Sequence, residues 1–139
     1  MLPSPGSRTA GTGGILIVED DYLVALQIEN ALDEAGYMVA DIASTAAEAI
    51  QLAQDYRPDL VLMDIGLAGP DDGVHAAIEI LSRFRIRSIF VSAFADATTH
   101  ARAAAAGPLA WVTKPVNNAR LIAVVAAAIE HTKRRSGSD

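Results

Sequence analysis

Four apolar runs in this chain each stop at side chains that can handle phosphate or a metal ion. Ile15-Leu16-Ile17-Val18 runs into Glu19-Asp20-Asp21, and Leu60-Val61-Leu62-Met63 ends at Asp64. Ile89-Phe90-Val91 ends at Ser92, and Trp111-Val112 at Thr113-Lys114-Pro115. One such aspartate alone reads as a solvated residue at the start of a loop. Repetition of the pattern is what argues for a site. Carboxylates gathered at one edge repel each other, and a hard divalent cation relieves the repulsion. Mg2+ suits such a place because it takes oxygen ligands, needs few of them from protein and keeps several waters; Mn2+ could stand in for it. A carboxylate nucleophile, a metal, a hydroxyl donor and a lysine together equip a site for phosphoryl transfer. Asp64 is the candidate nucleophile, with Glu19 and Asp20 at the metal, Ser92 as hydroxyl donor and Lys114 as cation.

The elements must bring those ends to one edge. The run at 60–63, bounded by Pro58-Asp59 and Gly66, suits a strand buried on both faces. An earlier strand covers about Gly14–Val18, and Asp20 or Asp21 caps the helix after it. Val24, Ile28, Ala31, Leu32 and Ala35 keep helical spacing as far as the stop at Gly36. Val39–Ala43 reads as a short strand whose Asp41 suits a sheet edge. Ser44 or Thr45 caps a second helix with Ala46, Ala49, Ile50 and Ala53 inward, and Glu48 fits a capping box with Thr45. Beyond Asp64 comes a loop from Ile65 to Gly73. Asp71 or Asp72 then leads a third helix with Val74, Ala77, Ile78 and Leu81 on one face. A basic connection, Arg83–Arg87, precedes the strand Ser88–Val91. The fourth helix, Ala97–Ala106, is mostly alanine, buries little area and should be weakly anchored. After Gly107-Pro108 come the strand Ala110–Thr113 and a helix over about Asn117–His131, with Leu121, Val124, Val125, Ala128 and Ile129 inward.

Strand and helix alternate five times. The expected fold is α/β, a five-stranded parallel sheet with helices on both faces, flavodoxin-like, in strand order 2-1-3-4-5. That order makes strands 1 and 3 neighbours, so Glu19 and Asp20 fall beside Asp64 at the carboxyl edge, where such sheets bind ligands. Residues 1–13 read as a flexible leader or a cloning remnant, 14–132 as one domain and 133–139 as a disordered tail.

Bulk properties narrow the function. With 139 residues, 51% of them hydrophobic, the chain can bury one proper core. A net charge of −6 argues against a nucleic-acid surface and a polybasic membrane patch. The absence of cysteine excludes disulfides and thiolate metal sites. No apolar run reaches spanning length or forms a secretory signal, so a cytoplasmic protein is expected. His75, His100 and His131 lack ligand spacing and read as surface residues, and Asp21 reads as a cap.

The ordered set Ile15-Leu16-Ile17-Val18-Glu19-Asp20, Asp64 after its apolar run, Asp72-Gly73, Ser92-Ala93 and Lys114-Pro115 resembles the receiver domain of bacterial two-component response regulators. The resemblance covers about 14–132. It implies that Asp64 accepts phosphate from the phosphohistidine of a histidine kinase or of a phosphotransfer protein. It implies direct Mg2+ binding by Asp20, Asp64 and the Gly66 carbonyl, with Glu19 acting mainly through a bound water. Ser92, beside Ala93, would bond a phosphoryl oxygen, Lys114 would pair with carboxylate or phosphate, and Lys114-Pro115 would be cis. Trp111 takes the family's aromatic switch position. Three departures stand out: a loop one residue longer with Ala68 where proline is usual, tryptophan as switch residue, and no output domain after the last helix. The last implies a stand-alone regulator that acts through protein contact, with a homodimer as one form of output.

The switch expected on this basis runs from Asp64 through Ser92 and Lys114 to the loop Ala93–Ala97, lets Trp111 turn inward and reshapes the face of helix 4, strand 5 and helix 5 for a downstream partner. Gly66 offers no side chain to orient an attacking water, whereas Phe94 could shield the phosphate. The rivals are a Mg2+-dependent phosphatase or nuclease, a flavin-binding module and a receiver-like scaffold that is never phosphorylated. Gly66 stands where the phosphatase would want a second carboxylate, and Glu19-Asp20-Asp21 would repel a flavin phosphate.

Overall fold

The computed structural model describes residues 13–67, 69, 71–93 and 96–137, the last three by backbone only. Five strands, β1 (Ile15–Val18), β2 (Val39–Ala43), β3 (Leu60–Asp64), β4 (Ser88–Ser92) and β5 (Ala110–Thr113), form one parallel sheet in the order β2-β1-β3-β4-β5. The helices are α1 (Tyr22–Glu34), α2 (Ala46–Tyr56), α3 (Gly73–Phe84), α4 (Ala97–Ala103) and α5 (Asn118–Gly137).

Both faces of the sheet are covered, and the strands show it by sending alternate residues to two separate cores. Leu16, Val18, Val61, Met63 and Phe90 pack with Ala46, Ala49 and Ala53 of α2 and Val74, Ala77 and Ile80 of α3. Ile15, Ile17, Leu60, Leu62, Ile89 and Val91 pack with Ile28 and Leu32 of α1 and Leu121 and Val125 of α5. Every residue of β1, β3 and β4 is buried, which explains why these strands are apolar runs without alternation. β2 lies at an edge, as Asp41 suggests, and that side chain accepts a 2.7 Å bond from the N–H of Ile42.

The helix starts follow from their caps. Asp21 accepts from the N–H groups of Leu23 and Val24, Thr45 from Glu48, Asp72 from His75 and Asp96 from Thr99. The capping box is a variant: Glu48 reaches back to the N–H of Ser44, at 2.7 Å, rather than to that of Thr45. Gly36 ends α1 at φ +89, a conformation that costs glycine little. α2 and α3 end instead on left-handed Arg57 and Arg85. The Arg57 guanidinium lies 4.8 Å from the centre of the Phe84 ring, so the end of α2 is held against the end of α3; Arg83, beside Phe84 on α3, lies 5.1 Å from the same ring.

Several expected boundaries move. Gly13, expected in the leader, is buried against Asp59 and packs with the domain; residues 1–12 lie outside the described residues. The fourth helix is α only to Ala103; Ala104–Ala106 tightens to 3-10 and stops at left-handed Gly107. α5 continues through Lys133 and Arg134 to Gly137, so the expected tail starts inside a helix. The inward stripe of α3 is Val74, Ala77 and Ile80, with Ile78 and Leu81 half-buried, and on α1 it is Ala25 that is buried where Val24 was expected. Among the described residues, no helix is long and apolar enough to cross a membrane.

Candidate functional site

The carboxyl edge gathers the acids because β1 and β3 are paired in register, with Val18 opposite Met63. The next residues, Glu19 after β1 and Asp64 at the end of β3, therefore emerge side by side. Glu19, Asp20 and Asp64 each offer an oxygen, and these atoms all lie within 4.8 Å of one another. Glu19 is 3% exposed and Asp64 6%, while Asp20 stands in solvent. Three clustered carboxylates make a hard, oxygen-only donor set, and that chemistry fits Mg2+.

Lys114 closes the opposite side. Its N–H donates to the carbonyl of Ser92 at 2.8 Å, continuing the β4–β5 pairing, and the Lys114-Pro115 bond is cis. Its ammonium lies 2.7 Å from Glu19 Oε1 and 3.4 Å from Asp64 Oδ2. The nearer partner is thus Glu19, not the acceptor candidate. The other oxygen of Glu19 accepts from the N–H of Asp21 at 3.0 Å, so both of its oxygens are engaged within the protein.

Electrostatics follow the burial. Burial drives the Glu19 carboxyl up from 4.5 to about 7, against the pull of Lys114 and the Asp21 N–H, and Asp64 adds to the rise. Burial opposes the charge on Lys114, but Glu19 and Asp64 outweigh it and hold the ammonium above its usual value. The site without metal is therefore short of positive charge.

The β3–α3 loop sits tightly on Asp64. The Gly66 N–H donates to Asp64 Oδ1 at 3.2 Å, and the N–H groups of Leu67 and Gly73 both donate to the Ile65 carbonyl. A Cβ at Gly73 would lie 1.9 Å from the Asp64 carbonyl oxygen, so only glycine lets α3 start this close to the acceptor strand. Gly66 is the opposite case: a Cβ there would meet nothing within 4 Å. Packing among the described residues does not demand glycine there. Ala68 lies outside the described residues.

Ser92 ends β4 beside Val91, which pairs with Asp64, and is 8% exposed; Ala93 follows it, exposed. Trp111 lies further from the acids, on the face shared with α4. Its ring lies 4.9 Å from that of buried Phe90 and 4.0 Å from that of His100. His100, read from spacing as a plain surface residue, is thus a packing partner of the switch candidate. Phe94 lies outside the described residues.

Two further contacts escaped the sequence reading. Arg102 on α4 places Nη1 3.2 Å from Asp72 Oδ1 and Nη2 2.5 Å from Oδ2. Gln27 on α1 donates to the Val116 carbonyl and the Asn118 side chain, both at 2.9 Å, fastening α1 to the segment after Lys114-Pro115. Arg102 did stand out as a large charged residue in an alanine helix, but its partner lies 30 positions away. Nothing in the local pattern names such a partner.

The family model of the response regulator receiver domain matches residues 15–126. The transcriptional regulatory protein PdtaR of Mycobacterium tuberculosis is 32% identical over 127 residues, covering 91% of this chain and 62% of PdtaR, so the chain spans less than two thirds of that relative. The chemotaxis protein CheY of Thermotoga maritima is 30% identical over 110 residues, covering 78% of this chain and 90% of CheY. Among solved structures, the signal receiver domain of a modulated diguanylate cyclase from Desulfovibrio desulfuricans superposes with a TM-score of 0.82 at 34% identity, over 88% of this chain and 97% of that one. With its sheet order and acid-bearing carboxyl edge, this chain belongs to the response regulator receiver family, the phosphoacceptor switches of two-component signalling.

Proposed function

We propose that Asp64 is the phosphoacceptor and that its donor is the phosphohistidine of a histidine kinase or of a phosphotransfer protein. The convergence of Glu19, Asp20 and Asp64 on one edge, with the Lys114 ammonium 2.7 and 3.4 Å from two of them, carries this reading. An Asp64 carboxylate oxygen attacks phosphorus, the P–N bond to the donor imidazole breaks, and the imidazole leaves as it takes up a proton. Lys114, already held 3.4 Å from Asp64 Oδ2, offsets the charge of the incoming oxygens. Mg2+ would be held by Asp20, Asp64 and the Gly66 carbonyl, where it supplies further neutralisation of the phosphoryl oxygens. Glu19, with both oxygens already engaged, would assist through water. Ser92 would donate its hydroxyl to the bound phosphoryl group. The reaction is regulatory: one group is accepted per molecule, and the product is a change of shape.

The output runs to the face made by α4, β5 and α5. Trp111, packed between Phe90 and His100, must part from His100 if it turns inward, so α4 is the element that feels the turn. A downstream protein, or a second copy of the chain, reads that face.

Incubation with Mg2+ and acetyl phosphate tests the acceptor. Intact mass should rise by one phosphoryl group on the parent and not on Asp64→Asn. Repeated turnover with no adduct would favour a phosphatase, and no reaction with either a small donor or phosphohistidine would favour the unphosphorylated scaffold.

A further inference from the structure

The loop that begins at the acceptor ends in an ion pair, and the pair's other half is on the output helix. Asp72 is the last residue before α3, and its backbone cannot shift independently of Asp64. The N–H of the next residue, Gly73, donates to the Ile65 carbonyl at 2.9 Å, and Gly73 lies too close to the Asp64 carbonyl for a Cβ to fit. Its side chain is fixed as well, because Oδ1 caps the N–H of His75 at 3.0 Å. Onto this anchored carboxylate α4 lays the guanidinium of Arg102, one nitrogen to each oxygen. Such a planar fork holds only in one relative position of its two halves.

α4 has little else to hold it. Three of its seven residues are alanine, and among the seven Ala103 is the buried one. Among the described residues its other side-chain attachment is the stack of His100 on Trp111. A shift of α4 that carries Arg102 beyond the reach of its side chain breaks the fork, since Asp72 cannot follow.

Resting on the phosphoacceptor reading above, we propose that Asp72–Arg102 is a resting-state clasp: it restrains α4 against the acceptor loop, and opening it shifts the molecule toward the shape it takes when phosphorylated. A contact made in one state only biases the equilibrium by its own worth. By linkage, the same factor appears in the affinity for anything that binds the other state. For a partly exposed ion pair that factor is about two- to five-fold.

The test uses the full chain with Mg2+ and beryllium trifluoride, a reversible mimic of a phosphoryl group on a carboxylate. Binding is followed by the fluorescence of Trp111, the single tryptophan, and independently by fluorine NMR. Arg102→Ala removes the fork, and Asp72→Asn removes the charge while keeping a good helix cap. Each variant should bind the mimic about two- to five-fold more tightly than the parent, with Arg102→Lys between, and the double variant should gain no more than either single one. Unchanged or weaker affinity in both single variants, with a parent that binds normally, overturns the clasp. Failure of the parent to bind, or binding that persists in Asp64→Asn, overturns the phosphoacceptor reading instead. Circular dichroism melts identify a variant that is merely unfolded, and the other single variant then decides.

Discussion

The acid end of the sheet and the α4 side are held in different ways. At β1 and β3 every strand residue is buried, Gly73 presses on the Asp64 backbone, and the loop folds its N–H groups onto Ile65. At β5 only Val112 is fully buried, and among the described residues α4 leans on the molecule through Ala103, one ion pair and one ring stack. The first region is built to stay put and the second to move cheaply. Phosphoryl transfer needs its charges fixed in advance, because reorganising them would add to the barrier. A switch needs an element whose displacement costs little, and such elements come from the least stable parts of a fold.

The sharpest way to break this contrast is at the two loop glycines. Gly73→Ala drives a methyl into backbone and should destabilise the protein by about 3 kcal/mol, read as a lower urea midpoint. Gly66→Ala, seven residues earlier and in open space, should change stability by less than about 0.5 kcal/mol. Equal effects would mean that the acceptor loop is not pinned at Gly73.

Next in size is the pH dependence of the acid end. Burial raises the Glu19 carboxyl from 4.5 to about 7 in the folded protein. Between those values the folded chain holds more protons than the unfolded chain, so stability without metal should fall as pH rises from about 4.5 to 7, by on the order of 2 kcal/mol, and then level off. Glu19→Gln should flatten that slope, and Mg2+, by binding the ionised acids, should oppose it. Denaturation midpoints across pH, with and without Mg2+, measure all three.

A smaller loss than either the Gly73 or the Glu19 effect belongs to the pliant side. His100→Ala removes the ring stacked on Trp111 and should cost about 0.5–1 kcal/mol. Amide exchange should quicken in α4 while β3 amides keep their protection. Quickening in both would mean that the two regions move as one.

The sequence made the rigid end legible and the pliant end much less so. Leu60–Met63 and Ile15–Val18 are apolar throughout because helices cover both faces, and a buried strand's end shows where its polar residue must emerge. Strand order then brings Glu19, Asp20 and Asp64 together almost without side-chain detail. The Lys114–Glu19 pairing was hidden, since sequence places the lysine across the cleft but cannot choose between two neighbouring acids. Arg102–Asp72 and His100–Trp111 were hidden for a stronger reason: they join elements whose mutual placement depends on how closely an alanine helix packs. The end of α5 was misjudged because Lys133-Arg134-Arg135 reads as a fraying terminus, although those residues continue a helix well.

Phosphorylation of this receiver should form an acyl phosphate on the Asp64 side chain. Borohydride reduces an aspartyl phosphate to homoserine, and peptide mass mapping of the phosphorylated, reduced chain locates it. Homoserine is expected at position 64, with aspartate retained at positions 20, 21, 71 and 72. Homoserine at any of those four, or a phosphorylated chain with none, would contradict that assignment.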